Sequence, residues 1–443
     1  MAAERTGAGW ALLRRHAAEY GMVLVLLLIS GLFTVLTWGT HYRTDEAAVA
    51  EVSTALRASK HVLVAVQSQS EDVLFADALV QSLSDSAVKL TVVKGEPVAA
   101  RDTLVRLRDA NTTLDAIVLT EATSKWLLWL DLHEDFPTLG EPKIVLPPRY
   151  SGSLFLTTRN LLNIANQIAV IAIVAIGMTL VIITGGIDLS VGSLIALSAV
   201  VTTLLIREYG GGVKAETMGI LLGCAGGILV CGAAGLFSGF MITRFGIPPF
   251  IATLSMMLMM NGLAYLLADH QTIDKVPESF VWLGRGADLG LPNAVVLMLL
   301  LYVAAHGMMS QMRLGRHVYA VGGNVEAALL SGIPIGKVLL IAYTLCGLAA
   351  GVGGVVTASL LKSGSATYGQ AYEMYVIAAV VVGGTSLSGG RGKMFGTLIG
   401  AFIIAVIQNG MNLTRIDSDM QRIVLGAVIL GAVLLDRLRQ RAP

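Results

Sequence analysis

The feature that most restricts this chain is a succession of ten apolar stretches, since a helix needs about 20 mainly apolar residues to cross a bilayer. They run approximately over 21–39, 161–183, 188–206, 217–242, 248–268, 293–309, 337–360, 371–388, 394–412 and 420–436. Hydrophobic residues make up 55 % of the chain and charged residues 14 %, a balance outside that of soluble globular proteins. A polytopic membrane protein follows. The 49 glycines against 11 prolines suit closely packed membrane helices, where small residues let backbones approach. Cys224, Cys231 and Cys346 all lie in apolar stretches without metal-ligand spacing, so they read as small core residues; neither a disulfide, a metal nor any other cofactor is expected.

Lysine and arginine beside short loops orient such a chain. With the N-terminus inside, twelve basic residues, from Arg5, Arg14 and Arg15 to Arg437, Arg439 and Arg441, fall at cytoplasmic ends, against eight at outer ones. Ten helices with both termini cytoplasmic is the arrangement this favours. The first stretch follows Arg14 and Arg15 as a signal peptide would, but "GLFTVLTWGT" offers no small-x-small cleavage site, and it reads as a retained anchor helix.

Residues 40–150 have another character. They hold 16 of the 30 acids and 11 of the 31 basic residues, which leaves the rest of the chain basic. The β-branched runs "KHVLVAV", "VKLTVV", "LDAIVL" and "PKIVLP" alternate with helical stretches such as "EDVLFADALVQSLSD" and "PVAARDTLVRLRDAN", the pattern of a small α/β domain with a largely parallel sheet. No G-x-G-x-x-G follows the first run, so no dinucleotide site is indicated. The fold class is therefore an all-α polytopic membrane protein of about ten transmembrane helices, some broken, with a small α/β extracytoplasmic insert. Its parts are a cytoplasmic N-terminus and first transmembrane helix over 1–40, the insert over 41–150, and a membrane core with a cytoplasmic C-terminus over 151–443.

Within the core, "LVIITGGIDLSVGSLIAL" (180–197) interrupts apolar sequence with Gly185, Gly186, Asp188, Ser190 and Gly192. A broken helix at membrane depth is tolerated only where it is buried in protein or lines a cavity. A carboxylate facing lipid is costly, so Asp188 must meet water, a partner or a helix terminus. The bland reading is that Asp188 caps and orients the helix that follows; the functional one is contact with a transported solute. The segment has an echo 198 residues later in "VVVGGTSLSGGRGKMFGTLIGA", which pairs Gly185, Gly186, Leu189 and Ser190 with Gly383, Gly384, Leu387 and Ser388. Such a repeat suggests two related halves around a central path.

"NLLNIANQIAVIAIVAIGMTLVIITGGIDLSVGSLIALSAVV", "FIATLSMMLMMNGLAYL", "RLGRHVYAVGGNVEAALLSGIPIGKV", "YTLCGLAAGVGGVV" and "AAVVVGGTSLSGGRGKMFGTLIGA" closely resemble the permease subunit of ribose-type ABC sugar importers, over roughly residues 154–436. The resemblance implies a ten-helix, non-enzymatic permease of the bacterial inner membrane. It implies as partners a second permease subunit, cytoplasmic ATP-binding subunits and an extracytoplasmic sugar-binding protein, and no nucleic acid. The insert departs from the family, whose usual member passes from its first helix almost directly to the "LFLTTRNLLN" region.

No G-x-x-x-x-G-K-[ST] phosphate loop is present: "SLSGGRGKMF" places Leu387 and Met394 at the outer positions, and "SGIPIGKV" fails similarly. ATP hydrolysis must then come from another chain. The docking element expected for that chain is the loop Arg313 to Lys337, read as a short helix along the membrane surface. By resemblance to the family's coupling segment its residues are Gly315, Arg316, Gly322, Gly323, Asn324, Glu326, Ser331 and Gly332. As an ordinary loop, its charges would only fix topology.

Amide and hydroxyl side chains inside the apolar stretches are candidates for the solute path: Asn166, Gln167, Thr253, Ser255, Asn261, Gln408, Asn409 and Asn412, with Phe250 as a gate after the Pro248–Pro249 break. Each is also an ordinary interhelical hydrogen-bonding or packing group. An ion-coupled secondary transporter of a small polar solute is the competing function, but proton relays use several intramembrane acids or histidines, and apart from Asp188 the stretches offer almost none away from their ends. A third reading is a sensor or assembly factor with a degenerate permease body, the insert being the receptor. The insert sequence "HVLVAVQSQSEDVLFADALVQSL" is faintly similar to the first lobe of sugar-binding proteins, which implies docking or dimer contact rather than tight binding, because a single lobe cannot clamp a sugar.

Overall fold

The computed structural model describes residues 21–67 and 70–441, so the basic residues expected at the N-terminal cytoplasmic end lie outside the described part. Two compact units are present, one of Thr37–Leu154 and one of the residues on either side. After helix α1 (Gly21–Leu36) the chain runs β1 (Trp38–Tyr42), α2 (Glu46–Leu56), β2 (His61–Val66), α3 (Ser70–Ser82), β3 (Lys89–Lys94), α4 (Pro97–Asp109), β4 (Ala116–Leu119), α5 (Leu132–Asp135), β5 (Lys143–Val145) and β6 (Arg149–Ser153).

Strands β1 and β6 pair antiparallel, Trp38 opposite Ser153 and Tyr42 opposite Arg149, so the chain enters and leaves this unit through one ribbon. The ribbon extends the unit beyond residues 41 and 150 at both ends. The other four strands form a parallel sheet in the order β3-β2-β4-β5. All six residues of β2 are buried. Val62, Val64 and Val66 pack with Val52 and Leu56 of α2 and Phe75 of α3, while Leu63 and Ala65 pack with Leu104 of α4 and with Trp126 and Trp129. Successive strand residues point to opposite faces, and both faces are covered, which is why this strand reads as an unbroken apolar run.

The second unit continues as α6 (Thr158–Ile183), α7 (Val191–Glu208), α8 (Thr217–Phe245), α9 (Pro249–Leu267), α10 (Trp282–Arg285), α11 (Asn293–Gln311), α12 (Arg313–Gly323), α13 (Val325–Leu330), α14 (Ile335–Leu361), α15 (Tyr372–Val382), α16 (Met394–Leu413) and α17 (Ser418–Arg441). Among the described residues seven helices are long and apolar enough to cross a membrane, namely α6, α7, α8, α9, α11, α14 and α16; α1 and α15 are shorter apolar helices. The chain is a multi-pass membrane protein.

Helices α6 and α7 are the most buried of the spanning helices, and α14 packs against both and against α8, where glycines set the spacing. A Cβ on Gly351 of α14 would lie 2.8 Å from the Ile228 Cα of α8, and Gly347, one turn away, meets the carbonyl of Cys231. From α8, Gly235 and Gly239 face Tyr343 and Leu340 in return. Glycines four residues apart on both helices allow backbone contact without side chains between them.

One expected span is corrected. Residues 371–388 do not form a crossing helix: α15 has 11 residues, about 16 Å, roughly half the hydrocarbon thickness. The chain before it, 363–371, is not helical, and the chain after Val382 is the second break.

Candidate functional site

Helix α6 ends in a tight glycine cap. The Gly185 N–H donates to the Ile182 carbonyl at 2.9 Å and the Gly186 N–H to that of Val181 at 3.0 Å, with Gly185 at φ +83°, the left-handed conformation this closure requires. A side chain on Gly186 would collide with the Tyr343 hydroxyl of α14. Asp188 follows, fully buried. Its Oδ1 accepts from the Ser190 N–H at 2.9 Å and the Ser190 hydroxyl at 2.6 Å, while Oδ2 has no partner at hydrogen-bond geometry among the described residues; the Cys346 thiol is the side chain that approaches the carboxyl, and Tyr343 stands nearby. Asp188 therefore does not cap α7 directly. Ser190 holds the cap position without a side-chain cap bond, its hydroxyl being engaged by Asp188. The carboxyl fixes the turn one step ahead of the helix.

The second break repeats this geometry with a shifted register. Gly384 N–H donates to Val381 at 2.8 Å and Thr385 N–H to Val380 at 3.1 Å, with Gly384 at φ +83°. Gly185 thus corresponds to Gly384, not Gly383, and the repeat offset is 199 residues rather than 198. Gly383 takes the place of Thr184, and a Cβ there would sit 2.6 Å from the Gly396 carbonyl. Leu387 replaces Asp188, so only the first break carries a buried acid. Ser388 donates its N–H to the Ser386 hydroxyl at 3.3 Å.

The two breaks meet at α12. Gly390 N–H donates to the Ile183 carbonyl at 2.8 Å, joining the second break to the end of α6. Gly322 of α12 lies against both: a Cβ there would overlap the Ile183 carbonyl and come within 2.6 Å of the Gly390 nitrogen. The Tyr319 hydroxyl adds a bond to the Gly392 carbonyl at 2.8 Å. Gly315 packs on the Met309 backbone, whereas Gly323 has open space. Arg316 is exposed and donates to the Gln311 carbonyl at 3.3 Å. Asn324 caps α13, its Oδ1 accepting the Ala327 N–H at 2.9 Å, and Glu326 is exposed in the first turn. Ser331 donates to the Ala327 carbonyl at 2.8 Å and Gly332 turns the chain at φ +75°. The segment is two short helices rather than one, with Leu329 and Leu330 exposed.

Several of the polar residues expected along the solute path are bonded to other protein groups. Asn409 and Asn160 form a reciprocal amide pair at 2.8 and 3.0 Å. Asn166 reaches the Gly284 carbonyl at 3.5 Å, and the Thr253 hydroxyl reaches the Pro249 carbonyl at 2.9 Å. Gln421 bonds Asn412 at 2.8 Å. Gln167 and Phe250 are exposed, Asn261 and Gln408 half-buried. Ser255 lines an apolar groove between α8 and α9 with Phe237, Ser238, Met241 and Met256. Sequence reasoning missed Tyr319, Tyr343 and Asn160, whose partners are distant in the chain and leave no local pattern.

A family model described as "Branched-chain amino acid transport system / permease component" matches residues 160–433, which takes in both breaks and the α12–α13 segment. The chain belongs to this permease family. It is 42 % identical to the ribose import permease protein of Escherichia coli K12 over 290 residues, 65 % of this chain and 88 % of that one. The ribose import permease protein of Bacillus subtilis is 42 % identical over 303 residues, 68 % and 92 % of the two chains. The D-allose transport system permease protein of E. coli K12 is 36 % identical over 293 residues, 66 % and 86 %. No solved structure matches. The resemblance read from the sequence and these relatives agree on a ribose-type sugar permease, a transport component and not an enzyme, and the α/β unit lies outside the residues the family model matches.

Proposed function

We propose that the chain is the transmembrane subunit of a binding-protein-dependent ABC importer that moves a monosaccharide such as ribose across the bacterial inner membrane. The observation that carries this reading is the junction of Ile183, Gly322 and Gly390 inside a permease body related to ribose import proteins. A force applied to α12 and α13 from outside the bilayer reaches both helix breaks through backbone contacts alone. A chain without a phosphate loop needs such an external push, and the exposed Leu329 and Leu330 suit a surface on which a separate ATP-binding subunit docks. In this reading the chain crosses the membrane ten times, the crossing between α14 and α16 being made by the non-helical residues 363–371 together with the short α15; both termini are cytoplasmic, a second permease subunit completes the path, and a sugar-binding protein delivers the solute from outside. The Thr37–Leu154 unit is then an extracytoplasmic accessory domain for docking or pairing.

The test is uptake of labelled D-ribose by vesicles holding this chain with its ATP-binding subunit and sugar-binding protein. Uptake that needs internal ATP is expected. Accumulation against a gradient without nucleotide refutes the proposal.

A further inference from the structure

Residues 363–371 join α14 to α15 without helical structure, yet they run alongside α7 instead of crossing over the end of the bundle. A Cβ on Gly364 would lie 2.6 Å from the Ala199 carbonyl, and one on Gly369 would lie 2.9 Å from the Ile195 Cβ. The carbonyl of Ile195 is itself level with Gly354 of α14, at 2.6 Å from a Cβ there. Gly192, one turn earlier in α7, therefore stands near the middle of α14 and hence near the middle of the bilayer. The Glu373 carboxyl lies against Gly192.

An acid at that depth is costly if turned to lipid. Irregular backbone at that depth persists only where it is buried in protein or lines a watery cavity. Glu373 is half-buried and has no ion-pair partner among the described residues, and Gln370, Ala371 and Met374 beside it are exposed. The chain thus leaves one side of a mid-membrane carboxyl uncovered.

We propose that Glu373, with Gln370, lines the solute path, its carboxyl accepting hydrogen bonds from the hydroxyls of a neutral polyhydroxylated solute. This rests on the sugar-permease reading. The simpler role is structural: Glu373 is in the first turn of α15 and against the first turn of α7, where a carboxyl complements two positive helix ends. The two roles differ in what they predict.

The test has two arms, both on the full chain reconstituted with its ATP-binding subunit and sugar-binding protein. In the first, Glu373→Gln raises KM for labelled D-ribose about tenfold, as expected for a weakened hydrogen bond to a charged group, with chain abundance and sugar-independent ATP hydrolysis unchanged; Glu373→Ala raises it further. In the second, Glu373→Cys reacts with a membrane-impermeant sulfonated maleimide, the unsubstituted chain serving as the blank, and D-ribose slows the reaction. Unchanged KM in both variants, transport lost in step with assembly, or an unreactive cysteine overturns the proposal. If the unsubstituted chain shows no ATP-driven ribose uptake, it is the sugar-permease reading that fails, and the thiol arm still decides whether position 373 faces water.

Discussion

The carbonyl oxygen of Ile183 occupies the space in which a side chain on residue 322 would begin, and the same oxygen receives the N–H of Gly390 at 2.8 Å. Three segments far apart in sequence share one backbone atom, so the end of α6, the second break and α12 can move only together.

Gly322→Ala therefore forces α12 away from this junction, an overpacking that costs about 1–3 kcal/mol. Sugar carried per ATP hydrolysed is expected to fall while ATP hydrolysis persists. Tyr319→Phe, which removes only the bond to Gly392 and about 1 kcal/mol, should shift the same ratio in the same direction by less. Gly323→Ala, in open space, should leave it alone. Parallel loss of transport and hydrolysis would show that the junction serves folding only.

At Asp188 the two carboxyl oxygens have unequal duties. Oδ1 holds Ser190 through two bonds, and Oδ2 has none at hydrogen-bond geometry among the described residues. Asp188→Asn can keep the bonds to Ser190 through its amide oxygen, whereas Asp188→Ala leaves that N–H and hydroxyl unsatisfied in a buried site, at about 1–3 kcal/mol. Thermal unfolding in detergent should rank the wild type and Asn close together and Ala lower. Equal, complete loss of transport in both variants with normal unfolding would assign the role to charge instead.

How much of this was legible in advance depends on the range of the interaction. Glycine pairs beside an acid in apolar sequence marked the first break, because a helix end needs its own local residues. The repeat was visible, but its register was not: "GG" matched "GG" by identity, while the structure matches the left-handed residue, Gly185 with Gly384. The length of α15 was hidden because the stretch 371–388 continues through Gly383, Gly384 and Leu387, whereas the chain leaves the helix after Val382 and turns into the second break. Tyr343 against Gly186 and Asn160 against Asn409 are pairings across the bundle, and neither residue announces its partner.

The Asn160–Asn409 pair is expected to behave as a unit. Asn409→Ala takes from the buried Asn160 its cross-bundle partner and leaves it the Phe155 carbonyl, while Asn160→Ala frees the half-buried Asn409, so the two single losses should together exceed the loss in the double variant. In membrane interiors such couplings average about 0.6 kcal/mol and reach about 1.7. A double-mutant cycle of unfolding midpoints measures it, and strict additivity would mean that the two amides do not interact in solution.

In the α/β unit two acids pull stability in opposite directions with pH. Burial pushes the Asp72 carboxyl above the usual carboxylate range, against the Thr120 hydroxyl and the Gln67 N–H that favour its ionised form. The folded chain then binds that proton more tightly than the unfolded one, so this contribution is present below the unfolded value and is lost as pH rises through the folded one. Asp115 is the reverse: the N–H groups of His61 at 2.8 Å and Lys60 at 2.6 Å hold it below the usual range, and its contribution is lost as pH falls through the folded value. Hydrogen exchange of β2 and β4 in the full chain, followed across acidic pH, should show Asp115→Asn removing the loss of protection at the acid end. Asp72→Asn should flatten the decline on the higher side. A variant profile parallel to that of the wild type at either end would rule out the corresponding carboxyl as the titrating group.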